Sequence, residues 1–111
     1  MDTLKYSLEY HCYPIWIYDE TGNLIDNDLP DELRNDAELD TMLLTVQEMF
    51  DGLFTDKPQE FSSHEFNDET ERQAFLTLLF SSVEHLRKKY GEVYHIVCKY
   101  TPDSFPIDPV Q

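Results

Sequence analysis

The stretch Leu4-Lys5-Tyr6-Ser7-Leu8-Glu9-Tyr10-His11-Cys12 decides the fold class, because large apolar and polar side chains alternate along it. Successive side chains of a β-strand point to opposite faces, so this pattern predicts a strand with one buried face. Pro14 interrupts the pattern, and residues 15–18 predict a second strand. Residues 19–23 have the composition of a tight turn, so we expect a hairpin whose return strand begins at Leu24.

Beyond residue 30 the spacing of the apolar residues changes from two to three or four, which predicts two amphipathic helices. The first is expected over about Ala37 to Phe54, with Asp36 as its N-cap. The second is expected to begin after Asn67 as N-cap and to end at Gly91. A last strand over about Glu92 to Tyr100 carries large side chains on both faces, and we place it centrally in the sheet.

This order of elements is typical of an α+β protein, with a small, mostly antiparallel sheet and two main helices packed on one face. We expect one domain over residues 1–100, followed by a Pro-rich extended tail over residues 101–111. The tail is either mobile or fastened to the surface by Phe105 and Ile107. Any strand within residues 59–66 is expected to be irregular.

The negative charge is confined to the middle of the chain. Between Asp19 and Glu71, 17 Asp and Glu stand against Arg34 and Lys57, whereas 6 acids and 6 bases cancel elsewhere. The formal net charge of −15 therefore belongs to this block. Such a field attracts cationic partners and repels nucleic acid and anionic membranes.

Composition also predicts the compartment. The first five residues lack the charged and apolar blocks of a signal peptide, and the chain holds no run of 18 apolar residues. We therefore expect a cytoplasmic protein that does not bind membranes. Its Cys12 and Cys98 are expected to be reduced and to serve as small buried hydrophobic residues.

Residue spacing offers two incomplete patterns for metal sites. Asp19, Thr21 and Asn23 match the opening of a calcium-binding EF-hand loop, but Leu24 and Pro30 stand where that loop needs Gly and Glu. Zinc could use two His–Cys pairs, residues 11 with 12 and 95 with 98. Because strand residues one or three apart point to opposite faces, neither pair can readily ligate one ion.

The motifs of common enzymes are missing from the sequence. There is no nucleophile elbow, P-loop or dinucleotide fingerprint, and only paired carboxylates leave room for acid–base hydrolysis. We therefore expect no catalytic residues, no cofactor and no metal. A small enzyme or metal-binding domain stays open as an alternative.

Nine acids stand within residues 19–40 against Arg34 alone, a density greater than solubility requires. We interpret this block as a docking surface for a basic protein, with the aromatic residues just upstream as anchors. A solvated surface without a partner is the alternative. The residues predicted to bind the partner are Trp16, Tyr18, Asp19, Glu20, Asp26, Asp28, Asp31, Glu32 and Asp36.

The stretch Tyr10-His11-Cys12-Tyr13-Pro14-Ile15-Trp16-Ile17-Tyr18-Asp19, continued by Asn27-Asp28-Leu29-Pro30, resembles small bacterial immunity proteins encoded beside polymorphic or contact-dependent toxins. The resemblance implies a compact, cytosolic and non-enzymatic inhibitor. Such a protein neutralises a basic toxin, expected to be a nuclease, by covering its active site or a nearby exosite. The same carboxylates would also suit a DNA mimic that occupies the groove of a DNA-binding protein, and this alternative stays open.

Overall fold

A computed structural model describes residues 1–57 and 60–107, with an α+β arrangement of strands and helices. The elements in chain order are β1 (Thr3–Tyr6), β2 (Ile15–Tyr18), β3 (Leu24–Asp26), α1 (Ala37–Asp51), β4 (Phe54–Lys57), β5 (Glu60–Ser63), α2 (Glu69–Tyr90) and β6 (His95–Cys98). Short 3₁₀ turns cover Asp31–Leu33 and Pro102–Ser104. The predicted fold class, a small and mostly antiparallel sheet with two main helices, is confirmed. Within the described ranges, no helix is both long and apolar enough to cross a bilayer.

The main sheet has the strand order β3-β2-β1-β6. β1 pairs antiparallel with β2 and parallel with β6, and β2 pairs antiparallel with β3. β6 therefore lies at an edge of this sheet, and the prediction that the last strand is central was wrong. Large side chains on both faces of a strand do not require two neighbouring strands. In β6, Ile96 and Cys98 face the helices, whereas His95 is exposed on the other side.

The first strand is shorter than the alternation of its residues predicts. β1 ends at Tyr6, and a turn follows in which the Cys12 amide donates to the Glu9 carbonyl oxygen over 3.1 Å. His11 has a φ of 58°, and its amide donates to Asp51 Oδ1 over 2.9 Å. Alternating burial therefore continues past the last residue that pairs with a neighbouring strand.

The helix boundaries follow local capping chemistry. The carboxylate of Asp36 accepts a hydrogen bond from the Leu39 amide over 3.1 Å and begins α1, as predicted. The helix ends before the predicted Phe54, which instead begins an antiparallel hairpin of β4 and β5. α2 begins with Asp68 as N-cap, one residue after the predicted Asn67, because its carboxylate accepts from the Thr70 amide.

Both helices pack on the face of the main sheet that carries the buried side chains Leu4, Tyr6, Ile15 and Ile17. The Tyr6 hydroxyl lies 2.9 Å from Ser82 Oγ of α2, in the core. Burial raises the pKa of Tyr6 well above its usual range, so the hydroxyl stays protonated and hydrogen-bonded.

The opposite face of this sheet is here called the open face. It carries the outward-pointing side chains Thr3, Lys5, Trp16, Tyr18 and Val97, which are exposed or half-buried. In the register of the strands, Lys5 stands between Trp16 and Val97.

The segment after residue 100 is fastened to the helices as far as it is described. Phe105 is 9% exposed, and its ring lies 4.9 Å from that of Phe75. Arg72 donates to the carbonyl oxygens of Phe105 and Pro102, over 2.5 and 2.8 Å. Ile107 forms an isolated β-bridge with Phe66. Residues 108–111 of the predicted tail lie outside the described residues, and independent folding of residues 1–100 stays a prediction.

Candidate functional site

An open groove of about 280 Å³ lies at one end of the sheet, lined by residues of β3, of the first 3₁₀ turn and of the segments that precede β1 and β6. Four carboxylates, those of Asp2, Asp26, Asp31 and Glu32, line it together with the guanidinium of Arg34. We call this concavity the acidic groove. Carboxylates outnumber the cation by four to one among its described lining residues, so the groove suits a cationic side chain.

The local sequence explains why these acids face outward. Leu29 is 3% exposed and Leu33 is fully buried, so the 3₁₀ turn is held by its apolar residues at both ends. Asp31 and Glu32, which lie between them, are exposed. Buried Leu29 and Pro30, two exposed acids and buried Leu33 thus build one wall of the groove.

One carboxylate of the groove, that of Glu32, is kept ionised by a hydrogen bond. Arg34 lies 3.4 Å from Asp28 Oδ2 and 3.2 Å from Asp31 Oδ1. The Tyr94 hydroxyl donates to Glu32 Oε2 over 2.6 Å, and this bond lowers the pKa of Glu32 below its usual value. Burial and the neighbouring Glu32 raise the pKa of Tyr94 well above its usual range. At neutral pH Glu32 is therefore charged and Tyr94 is a neutral donor.

Four of the predicted partner-binding residues lie on or beside the open face, outside the acidic groove. Trp16 and Tyr18 are half-buried on the open face, where the Trp16 indole N–H donates to the Ser7 carbonyl oxygen over 3.0 Å. Asp19 and Glu20 lie at the rim of that face. The structure therefore does not bring the two aromatic residues into the acidic groove.

The carboxylates of the turn at residues 19–23 have partners of their own. Asp19 Oδ1 accepts from the Thr21 hydroxyl over 2.7 Å and from the amides of Asn23 and Thr21, both over 2.9 Å, and these bonds lower its pKa. Glu20 pairs with the N-terminal amine of Met1. The pattern of oxygen-bearing residues that resembles a calcium loop thus closes a tight turn.

Asp36 differs from the other predicted site residues because its side chain is only 5% exposed. Its Oδ2 accepts from Tyr90 over 2.6 Å, from His85 over 2.8 Å and from Lys89 over 3.3 Å. Burial by itself raises the pKa of Asp36, but these hydrogen bonds and that of the Leu39 amide outweigh it and hold the pKa well below its usual range. The geometry therefore gives Asp36 a structural position between the two helices.

Sequence reasoning missed two residues of the groove, Asp2 and Tyr94. They come together because the His95 amide donates to the Asp2 carbonyl oxygen over 2.9 Å, where β6 begins to pair with β1. The parallel pairing of the first and last strands is the signal that would have found them, and no local pattern predicts it.

Among the residues that the structure describes, no three or more His, Cys, Asp or Glu side chains are grouped so as to hold a metal ion. His11 and Cys12 lie in the turn after β1, whereas His95 and Cys98 point to opposite faces of β6. Cys12 and Cys98 are both free and half-buried.

A family model described as Serratia CdiI immunity protein-like matches residues 2–103, so the chain is a protein of the immunity class. That match spans nearly the whole chain, and the chain therefore belongs to the Serratia CdiI immunity protein-like family. Membership confirms the resemblance to immunity proteins of contact-dependent toxin systems. It assigns the chain a toxin-neutralising role with a cognate toxin as partner. No curated protein matches the chain.

Proposed function

We propose that this immunity protein neutralises a basic toxin domain, a nuclease, by binding it through the acidic groove and covering the toxin's active site or a nearby exosite. The observation that carries the proposal is the convergence of four carboxylates around Arg34 in one concavity. A nuclease needs Lys and Arg to hold phosphates, so its surface is complementary to such a groove. The inhibitor catalyses no reaction, because binding the toxin and covering its site are sufficient to neutralise it.

A cation of the toxin can take the place of Arg34 as the partner of the carboxylates in the groove. Asp28 and Asp31 share Arg34 in ion pairs that are partly exposed to solvent, which makes those pairs weak. A Lys or Arg of the toxin that enters the groove can pair with Asp26, Asp31 or Glu32 once water is excluded. The −15 net charge would steer the toxin towards the inhibitor from a distance.

The predicted contact residues on and beside the open face are also proposed to contact the toxin. Trp16 and Tyr18 are half-buried aromatic side chains on the open face, and such residues are frequent interface anchors. Asp19 and Glu20 at the rim of that face would surround them. Asp36 is left out, because its carboxylate is buried and fully engaged by donors of its own chain.

The DNA-mimic alternative has less support. A mimic of a duplex has to present unpaired charges in a regular row along an extended surface. Here Arg34 pairs with two of the predicted acids, Tyr94 donates to Glu32, and the N-terminal amine pairs with Glu20. These contacts are better suited to a concave docking site for one protein.

The proposal is tested by co-expression and binding with the toxin domain encoded immediately upstream. Asp26→Lys/Glu32→Lys is compared with Glu48→Lys/Glu71→Lys, which reverses two exposed acids outside the groove and leaves the same net charge. We expect the groove variant to lose protection of growth and to associate about ten times more slowly at low salt. The control should protect cells as the wild type does.

Equal rate constants for the groove variant and the wild type would contradict the role of the groove. Equal slowing of both double variants would assign the effect to net charge alone. Protection by the wild type without any complex with the toxin domain would contradict inhibition by covering.

A further inference from the structure

The open face carries two lysines that form no ion pair with any residue that the structure describes. Lys5 on β1 and Lys99 just after β6 are both exposed, in a chain that has 23 acids and 8 bases. Four other cations, Arg34, Arg72, Lys88 and Lys89, do pair with acids of the chain. With acids in such excess, two neighbouring unpaired lysines are a specific feature of this face.

The register of the strands places these lysines beside aromatic and apolar side chains. Lys5 is the direct cross-strand neighbour of Trp16 on β2 and of Val97 on β6, and Thr3 is that of Tyr18. The Trp16 ring is held in place by its hydrogen bond to the Ser7 carbonyl oxygen. The face is concave, with an open volume of about 660 Å³ lined by both lysines. Asp19 and Glu20 line it as well, but the amides of the turn at residues 19–23 donate to Asp19 and the N-terminal amine pairs with Glu20. The lysines are therefore the charges of this concavity that have no partner among the described residues.

Size argues that the acidic groove does not make the whole interface. A stable protein–protein contact buries roughly 800 Å² on each partner. The groove has ten lining residues, fewer than the roughly 20 to 30 that such a contact uses on each partner, and the aromatic anchors Trp16 and Tyr18 lie outside it on the open face. A second contact surface is therefore needed, and the open face has the aromatic residues that such surfaces use.

We infer that the open face binds a carboxylate-bearing segment of the same toxin domain, whose acids pair with Lys5 and Lys99 while neighbouring apolar side chains pack on Trp16 and Tyr18. The inference rests on the proposed function for the identity of the partner. The occupant is a toxin segment because a second copy of this chain would bring another net charge of −15 and be repelled.

Binding of toxin cations at one surface and of toxin carboxylates at the other would make the inhibitor specific for its cognate toxin. The toxin would offer cations to the acidic groove and carboxylates to the open face, which fixes one orientation of the complex. A non-cognate toxin that is basic throughout would be attracted to the inhibitor and then rejected at Lys5 and Lys99.

The test compares Lys5→Glu and Lys99→Glu with Arg87→Glu, in the full chain bound to the upstream-encoded toxin domain. Arg87 is an exposed cation on α2 without an ion pair among the described residues, so it is a matched control for the change in net charge. Dissociation constants are measured by titration at low and moderate salt. We expect each lysine variant to weaken binding about tenfold or more, chiefly through faster dissociation. Arg87→Glu and the conservative Lys5→Arg should stay within about threefold of the wild type.

The outcomes separate this inference from the proposed function. If the lysine variants bind as Arg87→Glu does while Asp26→Lys/Glu32→Lys still binds weakly, the inference is overturned and the proposed function stands. If the lysine variants bind weakly while Asp26→Lys/Glu32→Lys binds as the wild type does, the result would support the role of the open face and contradict that of the acidic groove. Absence of a complex with the wild type overturns both. A wild-type homodimer that Lys5→Glu dissociates would assign the face to a second copy and overturn the inference. Thermal unfolding of each variant confirms that it is folded.

Discussion

At the scale of single residues, Asp36 shows how a carboxylate within an acidic block can serve the fold. It caps α1 through the Leu39 amide and accepts bonds from His85, Lys89 and Tyr90 near the end of α2. A buried carboxylate without such donors would be protonated, because burial opposes the charged form. The donors reverse that tendency, so the ionised carboxylate ties two distant chain segments together.

Replacing Asp36 by Asn is expected to reduce the free energy of unfolding by about 2 kcal/mol at pH 7, because charge-assisted hydrogen bonds are lost. Since folding lowers the pKa of Asp36, its contribution is complete above the unfolded pKa of about 4. It is lost progressively as the pH falls below that value. Urea unfolding of both proteins between pH 7 and pH 3 should show the difference shrink with acidification.

The matched control for this change is Asp26→Asn, which alters an exposed carboxylate of the acidic groove. It should leave stability within about 0.5 kcal/mol of the wild type. An Asp36→Asn protein as stable as the wild type at pH 7 would show that the contacts of Asp36 do not stabilise the fold.

At the scale of elements, α2 is the helix to which separate parts of the chain attach. Ser82 in its middle contacts Tyr6 of the sheet, and Arg72 in its first half holds the segment after residue 100. Its end was predicted at Gly91 from the usual preference for a left-handed glycine. The structure gives another reason, since φ of Gly91 is −65° and a Cβ there would lie 2.4 Å from the Arg87 carbonyl oxygen.

Replacing Phe105 by Ala should destabilise the protein by about 3 kcal/mol, because a buried ring is removed from its contact with Phe75. The segment around residues 101–107 should then be cut faster by proteases. Chemical unfolding and limited proteolysis would measure the two effects, and Pro106→Ala, at an exposed neighbour, is the control. Unchanged stability would mean that this segment rests on the helices without contributing to their stability.

At the scale of the whole molecule, the net charge of −15 acts on stability and on association in opposite directions. Repulsion among the acids destabilises the compact state, whereas the same field speeds the approach of a basic partner. Salt screens both effects, with a Debye length of about 10 Å at 0.1 M.

Raising NaCl from 20 mM to 500 mM should therefore raise the thermal unfolding midpoint of the free protein, by about 5 °C. Differential scanning calorimetry at pH 7 measures this directly, and sucrose at equal osmolality controls for effects other than screening. A midpoint that falls with salt would mean that the ion pairs of the fold outweigh the repulsion among its acids.

Local chemistry explains how much of this protein could be predicted from its sequence. The two helices, the N-cap Asp36 of α1, the hairpin at residues 19–23 and the α+β class follow from periodicity and capping, which act over a few residues. The charge block is a property of composition. Strand β4 was missed, because the apolar spacing at Leu53 and Phe54 continues that of α1. The strand that was expected to be irregular within residues 59–66 pairs with β4 in a regular antiparallel register.

Long-range pairing decided the rest. The parallel pairing of β1 with β6 puts the last strand at an edge and brings Asp2 and Tyr94 into the acidic groove. Packing of the helices buries Asp36, and the register of the sheet separates Trp16 and Lys5 from the groove. The sequence by itself determined the elements and the sign of the charge, because both depend on neighbouring residues. Only the tertiary structure decided which acids are exposed together, because that depends on contacts between residues far apart in the chain.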